Sequence, residues 1–152
     1  MKFQPKTKKE IEEMNLLPEG EYPFEISQGL DKTSKIKPDG SGGNEMIELL
    51  VRVYRENGTF LLVNDYLLES MAYKLRHAAE ACELLTNYET GVLTASDFVG
   101  KTGRLKLRIQ KDKAGQFPDK NVISDYIVPK DGDVQAPLPK VLEKPFEDEI
   151  PF

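Results

Sequence analysis

Residues Thr102–Lys111 constrain the fold most tightly. Leu105, Leu107 and Ile109 alternate strictly with Arg104, Lys106, Arg108 and Gln110. Successive side chains of a strand point to opposite faces, so this segment has one face in a core and the other face cationic. The remaining chain is read from that strand outward.

Four further segments carry strand signals. Glu21–Gln28 sets Tyr22, Phe24 and Ile26 against Pro23, Glu25 and Ser27, and Pro23 favours a place at a sheet edge. Glu45–Tyr54 and Thr59–Leu67 are rich in aliphatic and aromatic residues and flank Asn57-Gly58, a strong signal for a tight hairpin. With Asn57-Gly58 as a two-residue turn, Val53 faces Leu62 and Tyr54 faces Leu61. Ile47, Leu49, Val51, Val53 and Leu62 then share the core face, with Arg52 and Tyr54 on the other. Asn121–Val128 is the last strand.

Between the third and fourth strands the period changes. Met71, Leu75, Ala78, Ala79, Cys82 and Leu85 recur at three- and four-residue steps, which predicts an amphipathic helix over Glu69–Leu85 capped by Ser70. Thr94 and Asp97 have capping-box spacing for a short helix over Ala95–Val99, stopped by Gly100. Residues 1–18 read as an N-terminal arm with a short helix possible at Lys6–Met14. Asp31–Asn44 reads as a flexible basic loop, and Asp112–Lys120 as another loop. Residues 19–128 form the packed domain, 129–142 a flexible linker with Pro129, Pro137 and Pro139, and 143–152 an acidic tail. Five short strands need a closed or nearly closed arrangement to protect their edges. The expectation is therefore a mainly β chain forming a five-stranded OB-fold (oligonucleotide/oligosaccharide-binding) barrel with its helix between strands 3 and 4.

Composition narrows the function. The 152 residues include one cysteine, Cys82, and one histidine, His77, too few for an internal disulfide or the usual zinc clusters. No apolar run is long enough to cross a bilayer, and the basic start lacks the apolar stretch of a signal peptide, so a cytoplasmic protein is expected. No cofactor is called for. His77, within the helix, reads as an ordinary solvated or half-buried histidine, and Cys82 as a core thiol, so no enzyme is expected. The net charge of −5 misleads. Residues 143–152 hold four acids against Lys144, leaving 20 basic and 22 acidic groups elsewhere, and Lys101–Lys113 holds six basic residues against Asp112 alone.

The chain end combines a local negative field, a proline and apolar side chains: Glu147, Asp148, Glu149, Ile150, Pro151 and Phe152. A partner pocket can cup the ring, grip the terminal carboxylate with arginine and draw the acids to a basic rim. A tail serving only solubility has no need of Ile150 or Phe152. The ending Asp148-Glu149-Ile150-Pro151-Phe152 closely resembles the acidic tip of bacterial single-stranded-DNA-binding proteins, which recruits nucleases, helicases and other genome-maintenance enzymes. Over Leu17–Val128 the chain resembles a phage-encoded family of small single-stranded-DNA-binding proteins. The residues that carry this likeness are Leu17-Pro18-Glu19-Gly20-Glu21-Tyr22, Lys32-Thr33-Ser34-Lys35, Gly43-Asn44-Glu45-Met46 and Asp97-Phe98-Val99-Gly100-Lys101-Thr102-Gly103. The resemblance implies an oligonucleotide-binding barrel acting in phage replication or recombination, in the cytoplasm of a bacterial host.

A barrel that binds single strands needs cations along the phosphates and rings on which bases stack. Arg104, Lys106 and Arg108 line one strand face, Lys111 and Lys113 continue it, and Lys32, Lys35 and Lys37 sit on the basic loop. The alternative for each is an ordinary wet sheet face. Arg52 suits a phosphate and Tyr54 a base, although Tyr54 fits equally well under a loop. Core packing is the expected role for most of Phe60, Tyr66, Phe117 and Tyr126. The expected partners are single-stranded DNA, bound without sequence preference, and a nuclease, helicase, polymerase or recombinase docked on the tail; a homo-oligomer is compatible with both. The 24 residues Pro129–Phe152 reach about 27 Å as a flexible coil, enough for the tail to visit the basic groove of its own body. Two rivals stand beside this reading: a decoy that fills host tail-binding pockets without binding DNA, and a small magnesium-dependent nuclease.

Overall fold

The computed structural model describes residues 1–129, apart from the side chains of residues 12 and 13. The expected linker beyond Pro129 and the acidic tail lie outside the described residues. The elements are α1 (Lys8–Met14), β1 (Gly20–Thr33), β2 (Glu45–Tyr54), β3 (Phe60–Leu68), α2 (Ala72–Ala81), α3 (Leu85–Thr90), α4 (Ala95–Phe98), β4 (Thr102–Gln110) and β5 (Lys120–Tyr126). The strands form one antiparallel sheet in the order β3-β2-β1-β4-β5, with all three helices α2–α4 between β3 and β4. The sheet is mainly β as expected, but it is not closed: β3 and β5 are its edges.

β1 corrects the expectation of a short edge strand. It is the long middle strand, paired with β2 over Phe24–Thr33 and with β4 over Gly20–Glu25. Pro23 precedes the first β1–β2 pair, so its missing amide hydrogen leaves that ladder whole. Ser27 is an extra residue between the pairs Ile26–Val51 and Gln28–Leu50. This bulge reverses which side chains face outward and lets β1 continue past Gln28. Just beyond it, a Cβ at Gly29 would sit 2.9 Å from the Ala95 carbonyl oxygen, so glycine lets α4 lie directly against the strand.

The β2–β3 register differs by one residue from the two-residue turn. Val53 pairs with Leu61 and Tyr54 with Phe60. The turn runs through Arg55–Gly58: Gly58 N–H donates to the Arg55 carbonyl and Arg55 N–H to the Thr59 carbonyl, with Gly58 at φ 88°. Asn57 Oδ1 accepts from both the amide and the hydroxyl of Thr59, which fixes this longer turn. A one-residue slip turns every side chain over. Leu62, expected in the core, is therefore 50% exposed opposite Arg52.

The helical region is also divided differently. α2 begins after Met71, which makes no side-chain cap, so Ser70 is not the cap and Met71 lies exposed. The helix ends when Glu83 takes φ 60°, with Leu84 N–H bonded to the Ala79 carbonyl and Glu83 N–H to that of Glu80. This left-handed stop splits the expected helix and frees α3, which ends the same way at Gly91. α4 forms as expected: Asp97 accepts from Thr94 N–H at 2.9 Å in a capping box, and Gly100 follows at φ 84°. The stretch expected as a flexible loop is a hydrogen-bonded hairpin end, with Ser34 and Asn44 bridged through Ser34 Oγ and Lys37 and Ser41 closing the tip.

The core lies between the inner face of the sheet and α2–α4. Phe24, Leu49, Val51, Val53, Leu105 and Phe98 are fully buried, and Phe24 meets Tyr126 edge-on with ring centroids 5.4 Å apart. Ala78, Ala79, Ala81 and Cys82 press the small face of α2 onto this layer. Burial pushes the Cys82 thiol up to about 12, as suits an unreactive core residue. Leu17 belongs to the same core, held by Asn121, whose side chain accepts from Leu17 N–H and donates to its carbonyl, both at 2.8 Å.

The two sheet edges are fastened by side chains. Tyr126 of β5 donates to Asp65 of β3 at 2.7 Å, and Lys74 of α2 reaches Asp65 at 2.6 Å and the Ile123 carbonyl at 2.9 Å. Asp65 is 6% exposed, and its burial pushes the carboxyl above the usual range against the pull of Lys74. Lys74 is thus a half-buried bridge across the seam.

Candidate nucleic-acid interface

The outer face of the sheet can be laid out from the register. At one end Phe60 pairs with Tyr54 across β3 and β2, and Pro23 with Arg104 across β1 and β4, Pro23 lying one residue before the first β1–β2 pair. The next row runs Leu62, Arg52, Glu25, Thr102, and a third sets Tyr66 beside Glu48 and Leu30. Along β4 the outward residues are Arg104, Lys106 and Arg108, all exposed, as the alternation predicts. Of the cations expected at the site, Lys32, Arg52, Arg104, Lys106 and Arg108 lie on the outer face of the sheet, and Lys35, Lys37, Lys111 and Lys113 lie beyond the strand ends; they fall into two electrostatic states.

On β1–β3 the cations are neutralised. Arg52 Nη1 lies 3.1 Å from Glu25 Oε1, and the Tyr54 hydroxyl donates to the same oxygen at 3.2 Å. The Arg52 guanidinium lies over the Phe60 ring, 5.2 Å from its centroid. Lys32 belongs to β1 rather than to a loop, and its Nζ sits 2.6 Å from Glu48 Oε1, while Tyr66 donates to Glu48 Oε2 at 3.1 Å. The lysine and tyrosine hydrogen bonds hold the Glu48 carboxyl below its usual range, and the Glu48 hydrogen bond raises Lys32. Tyr54 is 8% exposed, packed edge-on against Phe60, so its ring is covered rather than open to a base.

On β4 and the loop after it the cations stand apart. Among the described residues, Arg104, Lys106 and Arg108 make no side-chain ion pair, nor do Lys111 and Lys113 or the hairpin-end residues Lys35 and Lys37. Lys111, Lys113 and Lys120 line a shallow cleft with Phe117 and Pro118. Asp112 is turned into the loop, accepting from the amides of Gln116 and Phe117, which holds the Phe117 ring out at 70% exposure.

Core packing describes only Tyr126 among the four unassigned rings. Phe60 and Tyr66 are 42% and 40% exposed on the outer face. They and Phe117 are the candidate residues that sequence reading missed; with the correct hairpin register, the exposure of Phe60 and Tyr66 follows from alternation. His77 is half-buried, with Nδ1 2.9 Å from Asp125. Among the described residues, no group of three or more His, Cys, Asp and Glu side chains is placed to hold a metal ion, and no helix is long and apolar enough to cross a membrane. No family model matches the chain, and no curated protein does.

Proposed function

We propose that this chain binds single-stranded DNA with little sequence preference and brings DNA-processing enzymes to it through the acidic segment Glu147–Phe152. The observation that carries the reading is the cationic line Arg104–Lys106–Arg108, which has no ion-pair partner among the described residues. It continues toward Lys111, Lys113 and Lys120 around an exposed Phe117, and the outer face of the same sheet carries the open rings of Phe60 and Tyr66. Cations along a backbone path with rings beside it are what sequence-tolerant strand binding requires.

In this reading the sheet is an oligonucleotide-binding barrel whose β3–β5 seam is closed by side chains. Support comes from the strand order, the bulged β1 that pairs on both sides, the helices between β3 and β4, and the Asp65–Tyr126–Lys74 contacts. The protein acts without catalysis, coating strands during phage replication or recombination in a bacterial cytoplasm. The acidic segment competes weakly with DNA for the cations and is released on binding.

The test is titration of a fluorescent single-stranded oligonucleotide with the full chain and with a variant lacking Glu147–Phe152, at two salt concentrations. Affinity falls as salt rises, with a slope of about −0.7 per neutralised phosphate. The deletion raises affinity at low salt and abolishes capture of the processing enzyme. Absent or salt-independent binding overturns the proposal and leaves the decoy reading.

A further inference from the structure

Arg52 has the wrong surroundings for a phosphate ligand. A cation that faces a carboxylate at 3.1 Å has little charge left to exchange for condensed counterions, and a phosphate would have to displace Glu25 first. Glu25 is itself held by the Tyr54 hydroxyl, so the carboxylate is anchored from two sides. Meanwhile the guanidinium lies over Phe60, with a side chain still 39% exposed. Its cross-strand partner Leu62 is 50% exposed and adds an apolar wall.

We propose that Arg52 is a base-stacking platform: Glu25 neutralises it, Phe60 supports it from below, and its open face takes a nucleobase. The inference rests on the single-strand reading and sharpens it. The same construction recurs on this face, where Glu48 binds Lys32 and the Tyr66 hydroxyl together and leaves the Tyr66 ring 40% exposed. Two acid-anchored groups therefore present surfaces to bases about 14 Å apart along β3, four residues at strand rise. Planar guanidinium groups and aromatic rings both stack on bases, whatever the sequence. The register sets the platforms and the β4 cations end to end, with Thr102 in the row of Arg52 and with Arg104, Lys106 and Arg108 following on the side away from Tyr66, so the bound strand runs from the platforms on β2–β3 toward the cations of β4.

The experiment compares oligo-dT with an abasic strand of equal length, so that both carry the same phosphates, across a series of salt concentrations. The full-length protein binds oligo-dT about tenfold or more tightly than the abasic strand at every salt concentration. Arg52→Lys keeps the charge but loses the plane; it weakens oligo-dT binding by about tenfold, leaves the salt slope unchanged and does not alter abasic binding. Arg104→Gln instead lowers the slope by about 0.7 on both strands. The assignment fails if the full-length protein binds both strands equally, or if Arg52→Lys binds oligo-dT as the parent does while Arg52→Gln lowers the slope as Arg104→Gln does. Binding of neither strand overturns the single-strand reading itself, a different result from loss of the base preference alone.

Discussion

The two halves of the outer sheet face carry cations of the same kind in opposite states. On β1–β3, Arg52 and Lys32 are each matched to a glutamate that also holds a tyrosine hydroxyl, and exposed rings and Leu62 stand beside them. On β4 and its following loop, Arg104, Lys106, Arg108, Lys111 and Lys113 have no such partners among the described residues. A count of basic residues treats these halves alike. Pairing separates them into a neutral, ring-bearing half and a charged half, which is the division a polyanion with stacked bases can use.

The comparison holds only while both halves belong to one surface, and the seam is where that is most easily broken. Lys74→Met removes the cation beside buried Asp65 and leaves the carboxylate with Tyr126 alone. Loss of one partner of a buried pair costs about 3–5 kcal/mol, so denaturant unfolding should show a shift of that size. Breaking the charged half itself is next. Arg104→Glu with Arg108→Glu should weaken single-strand binding by about a hundredfold or more at low salt without changing stability appreciably, because both side chains are exposed. A double variant that still binds normally would remove β4 from the interface.

Smaller effects sharpen the picture. Glu83 occupies a left-handed position at φ 60° that favours glycine. Glu83→Gly should therefore stabilise the chain by about 0.5–1 kcal/mol, read by thermal unfolding, with DNA binding unchanged. The smallest effect concerns the neutral half. The folded-state pKa of Glu48 lies below its ordinary value of 4.5, so the Lys32–Glu48 contribution is present above 4.5 and is lost as pH falls through the depressed value. The stability difference between the parent and Glu48→Gln should persist from pH 7 to 5 and close only at lower pH.

Much of this was legible in the sequence, and the misses have physical causes. The β4 alternation and the Thr94–Asp97 capping box are local patterns, and both formed as read. The alternation of β1 stops at Gln28 in the sequence because the Ser27 bulge inverts it there, although the strand continues to Thr33. Asn57-Gly58 correctly marked a hairpin, but the turn extends to Arg55, and that single residue moved Leu62 from core to surface. α3 was hidden because Glu83, rather than a glycine, ends α2. The neutralisation of Arg52 and Lys32 was invisible, since Glu25 and Glu48 meet them only across strands, in a register the sequence does not print.

The most direct test of the divided face is ultraviolet crosslinking of oligo-dT to the full chain, with the modified residues mapped by mass spectrometry. Adducts at Phe60, Tyr66 or Phe117, and none at the 82% exposed Tyr73 on α2, are the predicted result. Adducts at Tyr73 or Phe3 with Phe60, Tyr66 and Phe117 all unmodified would contradict it.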